Sequence, residues 1–172
     1  MLRRFLTVVA MAAVMAAGSI GSAKAAEPKS LGTFSTWDAW ELEDEGGKVC
    51  YMLSAPTKDS GAYKSRGDIY ALVTHRPAEG TKNVFSYIAG YEYQAKSEAS
   101  LKINDKKFGL FTQGETAWSP DAKTDNAITE AIRKGSNMVV SGTSSRGTAT
   151  TDSFSLKGSG DAHEAINKAC GI

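Results

Sequence analysis

Short apolar runs alternate with polar turns along most of the chain. Two such runs, residues 138–143 and 148–156, flank a polar turn in which Gly147 can take the positive φ of a hairpin loop. Because strand side chains alternate between two faces, one face of the second run carries Thr150, Asp152, Phe154 and Leu156. This pattern predicts a β-hairpin.

Similar runs predict strands elsewhere, at residues 31–42, 48–55, 68–75, 83–90, 101–103 and 108–111. The run Asp68–His75 is apolar on both faces, which predicts a central strand that is covered on each side. Residues 56–67 are rich in Lys, Ser and Gly and are predicted to form a loop. About eight short strands with only two helices predict an antiparallel sandwich or a partly closed barrel.

Two segments have the spacing of an amphipathic helix, a short one near 124–134 and a C-terminal one near 160–170. Their apolar stripes are Ala127, Ile128, Ala131 and Ile132 in the first, and Ala162, Ala165, Ile166 and Ala169 in the second. Thr124 and Ser159 are the predicted N-caps. The second stripe is expected to face the sheet and to leave His163 on the exposed side of the helix.

The first residues of the chain have the pattern of a secretory signal peptide. A basic pair precedes an apolar run from 5 to 20, and a small-x-small triplet at 23–25 marks a cleavage site before Ala26. A retained membrane anchor fits less well, because the run is shorter than the roughly 20 residues of a spanning helix. We expect a cleaved signal at 1–25, a single domain at 26–172, and a periplasmic, secreted or outer-membrane-associated protein.

The charge balance argues against one class of partner. The signal peptide removes Arg3, Arg4 and Lys24 from the 20 basic residues, which leaves 17 against 19 acidic residues and a net charge of −2. Such a balance gives no basic footprint for nucleic acid. After cleavage, no transmembrane segment is predicted.

Two cysteines, Cys50 and Cys170, remain in the mature chain. In an oxidising compartment two thiols most simply pair with each other. A reactive thiol lacks support, because the chain has no Cys-x-x-Cys motif and neither cysteine has a histidine beside it. The sequence therefore predicts a structural disulfide between Cys50 and Cys170.

The residues give little support to catalysis. Ser144, Ser145, Asp152, His75 and His163 supply the groups of a hydrolytic triad, but no Gly-x-Ser-x-Gly elbow is present. Two histidines beside two paired cysteines are too few to predict a zinc site. No catalytic residue, metal ligand or cofactor site is therefore predicted.

Two further motifs favour a structural interpretation. The segment Gly142–Thr148 has the glycine spacing of a phosphate loop, but it lacks the following lysine and joins two strands instead of opening a helix. The tripeptide Arg66–Asp68 has the sequence used by integrin ligands, but here it runs straight into a strand. Neither motif predicts a binding site.

Three side chains are candidates for contact with a partner. Arg146 lies at the tip of the predicted hairpin, where its planar fork of donors is available to a carboxylate or phosphate. Arg76 and Trp118 are also expected in loops, and Arg and Trp are over-represented among residues that dominate binding energy. For Trp118, packing over the edge of the core is the favoured interpretation.

Several short motifs follow one another along the mature chain. They are Gly32-x-Phe34 with Trp37-Asp-Ala-Trp40, Val49-Cys-Tyr51, Arg66-Gly-Asp68 through Thr74-His-Arg-Pro77, Thr116-Ala-Trp118 with Pro120-Asp121, and Met138 to Thr148 with Thr151-Asp152. In this order they resemble the invasion-associated locus B proteins, which are secreted proteins of alphaproteobacteria. The resemblance implies an immunoglobulin-like β-sandwich, export to the periplasm or outer membrane, and no known catalytic residue or cofactor.

The resemblance also bears on function. Founding members of that family are similar to factors that help a bacterium enter host red cells, whereas many relatives belong to bacteria that invade nothing. We therefore expect a non-enzymatic interaction protein whose unknown partner lies in the envelope or on a host surface. The alternative, from a different class, is a periplasmic hydrolase, which a buried charged cleft with converging histidines would support.

Overall fold

The computed structural model describes residues 27–172, so the predicted signal peptide and its cleavage site before Ala26 lie outside the described residues. The strands are β1 Lys29–Phe34, β2 Trp37–Asp44, β3 Gly47–Ser54, β4 Lys58–Gly61, β5 Tyr70–Arg76, β6 Thr81–Ile88, β7 Glu98–Ile103, β8 Lys106–Gln113, β9 Thr116–Trp118, β10 Asn137–Thr143 and β11 Ala149–Ser155. The helices are α1 Ala122–Lys134 and α2 Ser159–Cys170, and Pro77–Glu79 forms a single 3-10 turn.

All eleven strands belong to one antiparallel sheet, in the order β1-β2-β3-β5-β6-β9-β8-β7-β10-β11-β4. The predicted mainly β, antiparallel fold with two helices is therefore confirmed. The two separate sheets of an immunoglobulin-like sandwich are not confirmed, because the hydrogen-bonded ladder runs without a break from β1 to β4.

The sheet curls until strands from its two halves meet. The indole Nε1 of Trp37, at the start of β2, donates to the carbonyl oxygen of Ser155, at the end of β11, over 3.1 Å. Inside, the ring of Tyr87 on β6 packs edge-to-face on that of Phe154 on β11, with centroids 6.2 Å apart. One apolar core therefore lies between the two halves, and we call the sheet surface turned toward it the inner face.

The hairpin between β10 and β11 forms as predicted. Gly147 takes a φ of +80°, and its N–H donates to the carbonyl oxygen of Ser144 over 2.8 Å. The four residues expected to share one face of β11 do so, and all of them, Thr150, Asp152, Phe154 and Leu156, are buried.

Both helices form close to their predicted bounds, but with different caps. The carboxylate of Asp121, not Thr124, caps α1 by accepting the backbone N–H of Thr124 over 2.7 Å. Gly158 occupies the cap position of α2 with a φ of +86°, and a Cβ there would lie 1.9 Å from the carbonyl oxygen of Phe34. Only glycine fits this approach, and Ser159 instead donates to the carbonyl oxygen of Ile132 over 2.8 Å.

Two predictions about the strands were wrong. Residues 56–67 contain β4, a polar strand that forms because β11 offers it an edge for pairing. β5 is not covered on both sides: Ala71, Val73 and His75 are buried on the inner face, whereas Tyr70, Leu72 and Thr74 are only partly buried. The reason is that α2 packs on the inner face, where it contacts β1, β2, β3 and β5.

Candidate functional site

A groove lies on the outer face of the sheet, across β5, β6 and β9. Strand alternation places Leu72, Val84, Ile88 and Trp118 along it, between the hydroxyl-bearing residues Thr74, Thr81, Ser86 and Thr116. It encloses about 560 Å³, within the usual range for ligand sites, which are concave and mostly apolar. We call this cavity the outer groove.

Charged side chains close one end of the outer groove. The Nη1 of Arg76 donates to Asp44 Oδ2 over 2.7 Å and contacts Glu79 Oε1 at 3.5 Å. This hydrogen bond from Arg76 lowers the pKa of the Asp44 carboxyl, so Asp44 stays ionised. Arg76 and Glu79 line the groove, and the side chain of Glu79 is 51% exposed.

The structure brings two of the three candidate partner residues together. Arg76 and Trp118 were expected in loops, but they are the last residues of β5 and β9, and both line the outer groove. Strand pairing explains this, because β6 joins β5 on one side and β9 on the other. No sequence pattern indicated Asp44 and Glu79 as their neighbours. A signal for the groove did exist in the two apolar faces of the β5 run.

Arg146 occupies a different place. It lies at the exposed tip of the β10–β11 hairpin, as predicted, and lines a separate cavity of about 420 Å³ with Tyr63, Lys64 and Glu92. Within residues 27–172 no ion pair involves Arg146. Its guanidinium is therefore available to solvent or to a ligand.

Within the tripeptide Arg66–Asp68, Arg66 has a structural role, whereas Asp68 is exposed and lies in the loop before β5 instead of running straight into the strand. The guanidinium of Arg66 forms two hydrogen bonds of 2.7 Å to the carboxylate of Asp152, and its Nε donates to the carbonyl oxygen of Ala89 over 2.6 Å. The hydroxyl of Tyr87 donates to the same carboxylate, and both burial and Asp152 raise the pKa of Tyr87. The Arg66 and Asp152 side chains are 4% and 1% exposed. The carboxylate of Asp152 therefore has its hydrogen-bond partners inside the core.

The two histidines lie close together between α2 and the sheet. The prediction that His163 is exposed was therefore wrong. His75 on β5 and His163 on α2 are 0% and 4% exposed, with ring centroids 5.5 Å apart. Asn167 bridges them, at 2.9 Å from His75 Nε2 and 3.2 Å from His163 Nδ1. Asn83 closes the ring of contacts, since its N–H donates to His75 Nδ1 over 2.9 Å and its Oδ1 lies 2.8 Å from His163 Nε2.

The histidine cluster is enclosed by protein groups. All four ring nitrogens have partners in the protein, and neither histidine lines the outer groove or the cavity at Arg146. Burial is the main cause that lowers the pKa of both imidazoles, that of His163 to about 4, so both are neutral near pH 7. Ser144 and Ser145 lie on the β10–β11 hairpin instead.

Next to this cluster, the predicted disulfide is confirmed. Cys50 on β3 and Cys170 at the end of α2 are bonded, with Cα atoms 6.0 Å apart. Cys50 pairs directly with His75 in the β3–β5 register. The disulfide and the histidine cluster therefore hold the same helix against the same part of the sheet.

Residues 27–172 contain neither a metal-binding cluster nor a helix able to span a membrane. No group of three or more His, Cys, Asp or Glu side chains is arranged to hold a metal ion in this part of the chain. Among its helices, none has the length and apolar character needed to cross a membrane.

A family model described as "Invasion associated locus B (IalB) protein" matches residues 37–167, which is most of the chain. The matched region contains Arg76, Trp118 and Arg146, together with Cys50 but not Cys170. No curated protein and no solved structure gives a match.

Proposed function

The chain belongs to the invasion-associated locus B family, and from this premise we propose that it is an exported, non-enzymatic protein that acts by binding a partner in the envelope or on a host surface. The observation that carries this proposal is the outer groove. A soluble protein rarely leaves a large contiguous apolar surface without a function. Here that surface contains Trp118 and Arg76, whose residue types dominate the binding energy of many interfaces.

Two features support export and a non-enzymatic role. Disulfides such as Cys50–Cys170 persist in oxidising compartments, including the periplasm and the cell surface. The groups that a hydrolase would use are occupied elsewhere: Asp152 binds Arg66, and the imidazoles of His75 and His163 bind two asparagines inside the core. Binding, not turnover, is therefore the role that the accessible residues support.

Photo-crosslinking tests the proposal at the outer groove. A photoreactive phenylalanine analogue at Thr116, inside the groove, should cross-link to a component of an envelope fraction or of host-cell membranes. The same analogue at Glu164, exposed on α2 away from the sheet, is the matched control. We expect a discrete product from Thr116 alone, which Trp118→Ser diminishes in the Thr116-labelled protein. Equal labelling from both positions, or no product with either fraction, contradicts the proposal.

A further inference from the structure

The outer groove is part of a larger apolar surface, as the strand register shows. Residues that face each other across antiparallel strands share a face. One row across β2, β3, β5 and β6 is Trp40, Tyr51, Thr74 and Val84. A second row across β3, β5, β6, β9 and β8 is Leu53, Leu72, Ser86, Trp118 and Phe111. A third is Tyr70, Ile88 and Thr116. We call these three rows the outer apolar face.

Resting on the proposed function, we propose that the occupant of the outer apolar face is a polypeptide segment whose apolar side chains enter the outer groove and whose basic side chain meets Asp44 and Glu79. The first step of the argument is chemical composition. The three rows contain five aromatic residues besides aliphatic and hydroxyl-bearing ones. Charged residues, Asp38 and Glu98, lie only where the second row continues onto β2 and β7. Phe111, at one end of the second row, is 47% exposed. Protein interfaces have such a centre, depleted of charge and enriched in aromatic residues.

Size favours a polypeptide over a small molecule. Strands lie roughly 4.8 Å apart and alternate residues along a strand roughly 6.8 Å apart, so each side chain covers about 33 Å² of the sheet and the residues of the three rows together cover on the order of 400 Å². Each partner in a standard protein interface buries about 800 Å², which is of the same order. The outer groove occupies only the middle of this surface, and a small ligand confined to it would leave Trp40, Tyr51 and Phe111 uncovered.

The acidic residues at the end of the outer groove favour a polypeptide with a basic residue. At the end of the outer groove the carboxylates of Asp44 and Glu79 outnumber the single guanidinium of Arg76, which gives this corner a net negative charge. Arg76 already pairs with Asp44 at 2.7 Å, whereas Glu79 has only the longer 3.5 Å contact and is half exposed. A lysine or arginine beside the apolar side chains of the partner supplies the missing charge, and an acidic residue there is repelled.

Two synthetic peptides test this inference directly on the mature, disulfide-bonded protein. Both alternate leucine and threonine over seven central residues; one carries lysine at each end and the other carries glutamate. Binding is followed at low ionic strength through the NMR signal of the Trp118 indole N–H. We expect the lysine peptide to bind at least fivefold more tightly, and Leu72→Ser to weaken both peptides at least fivefold.

Matched variants separate the charge effect from the apolar effect. Glu79→Gln should remove most of the preference for lysine, while Glu164→Gln, which removes a charge from the exposed side of α2, should leave it unchanged. Equal binding of the two peptides overturns the inference. So does binding of neither peptide; if cross-linking from Thr116 persists in that case, the proposed function stands while the partner class is wrong. Concentration-dependent dimerisation that Trp118→Ser abolishes identifies a second copy as the occupant and also overturns it.

Discussion

The most stringent test of the buried network of Arg66, Asp152 and Tyr87 is the replacement of Arg66 by methionine. Methionine keeps an unbranched apolar chain in the space of the arginine stem but removes the guanidinium. The carboxylate of Asp152, 1% exposed, then loses two 2.7 Å hydrogen bonds and retains the hydroxyl of Tyr87 as a partner. Arg66→Met therefore leaves a nearly uncompensated charge inside the core.

The expected loss is large because the charge is buried. Removal of one partner from a buried ion pair typically lowers the free energy of unfolding by about 3–5 kcal/mol. For a domain of this size each kcal/mol lowers Tm by about 2–4 °C, so Arg66→Met should lower Tm by about 6–20 °C. The matched control is Arg76→Met, which breaks the ion pair with Asp44 in which both side chains are more than a third exposed. Such surface pairs contribute about 0–1 kcal/mol.

Urea unfolding followed by circular dichroism, with the disulfide intact, measures the free energy of unfolding of both variants. Arg66→Met combined with Asp152→Leu completes a double-mutant cycle, and the double variant should be more stable than the sum of the two single losses predicts, because no charge remains buried. The reasoning fails if Arg66→Met costs no more than Arg76→Met. It fails equally if the two single losses are additive, because the two charges would then be independent.

Three further outcomes are expected. Reduction of the Cys50–Cys170 disulfide should shift the alkylated intact mass and lower stability by up to about 4–5 kcal/mol, since it closes a loop with a sequence separation of 120 residues; two alkylated thiols without reductant would refute the bond in the native protein. Because the pKa of His163 in the folded protein is below its ordinary value of 6.5, the unfolded chain binds more protons. The free energy of unfolding should therefore decrease as the pH is lowered from 6.5 to about 4. His163→Gln should flatten that slope, and an unchanged slope would contradict the assignment. Arg146→Ala should leave Tm nearly unchanged; a loss of several degrees would place Arg146 in a structural network.

Local patterns predicted the parts of the fold that depend on local interactions. The β10–β11 hairpin follows from its turn glycine, and both helices follow from the spacing of apolar residues. The disulfide followed from a different argument, namely that only two thiols enter an oxidising compartment. By contrast, β4 consists of the polar residues Lys58–Gly61 and becomes a strand only because β11 lies beside it. No local signal predicts such a strand.

Non-local pairs explain the errors at the candidate site. His163 was predicted to be exposed because it lies away from the apolar stripe of α2, yet its two ring nitrogens bind Asn83 and Asn167, so burial leaves no unsatisfied group. Arg66 and Asp152 are separated by 86 residues in sequence, and nothing local to either indicates the other. The apolar residues on both faces of the β5 run predict a strand covered on each side, but only the inner face is fully buried and the other lines the outer groove.

The position of the stabilising interactions explains why the outer apolar face can serve binding. The Arg66–Asp152 pair and the histidine cluster lie on the inner side of the sheet, and the disulfide fixes α2 there. Side chains of the outer apolar face contribute little to these interactions. Their identity can therefore suit a partner with little loss in the stability of the fold. Leu72→Ser should then reduce binding much more than stability, whereas Val73→Ser, one residue away but 0% exposed, should chiefly unfold the protein. Comparable losses of stability in the two variants would mean that the outer face belongs to the core and does not contact a partner.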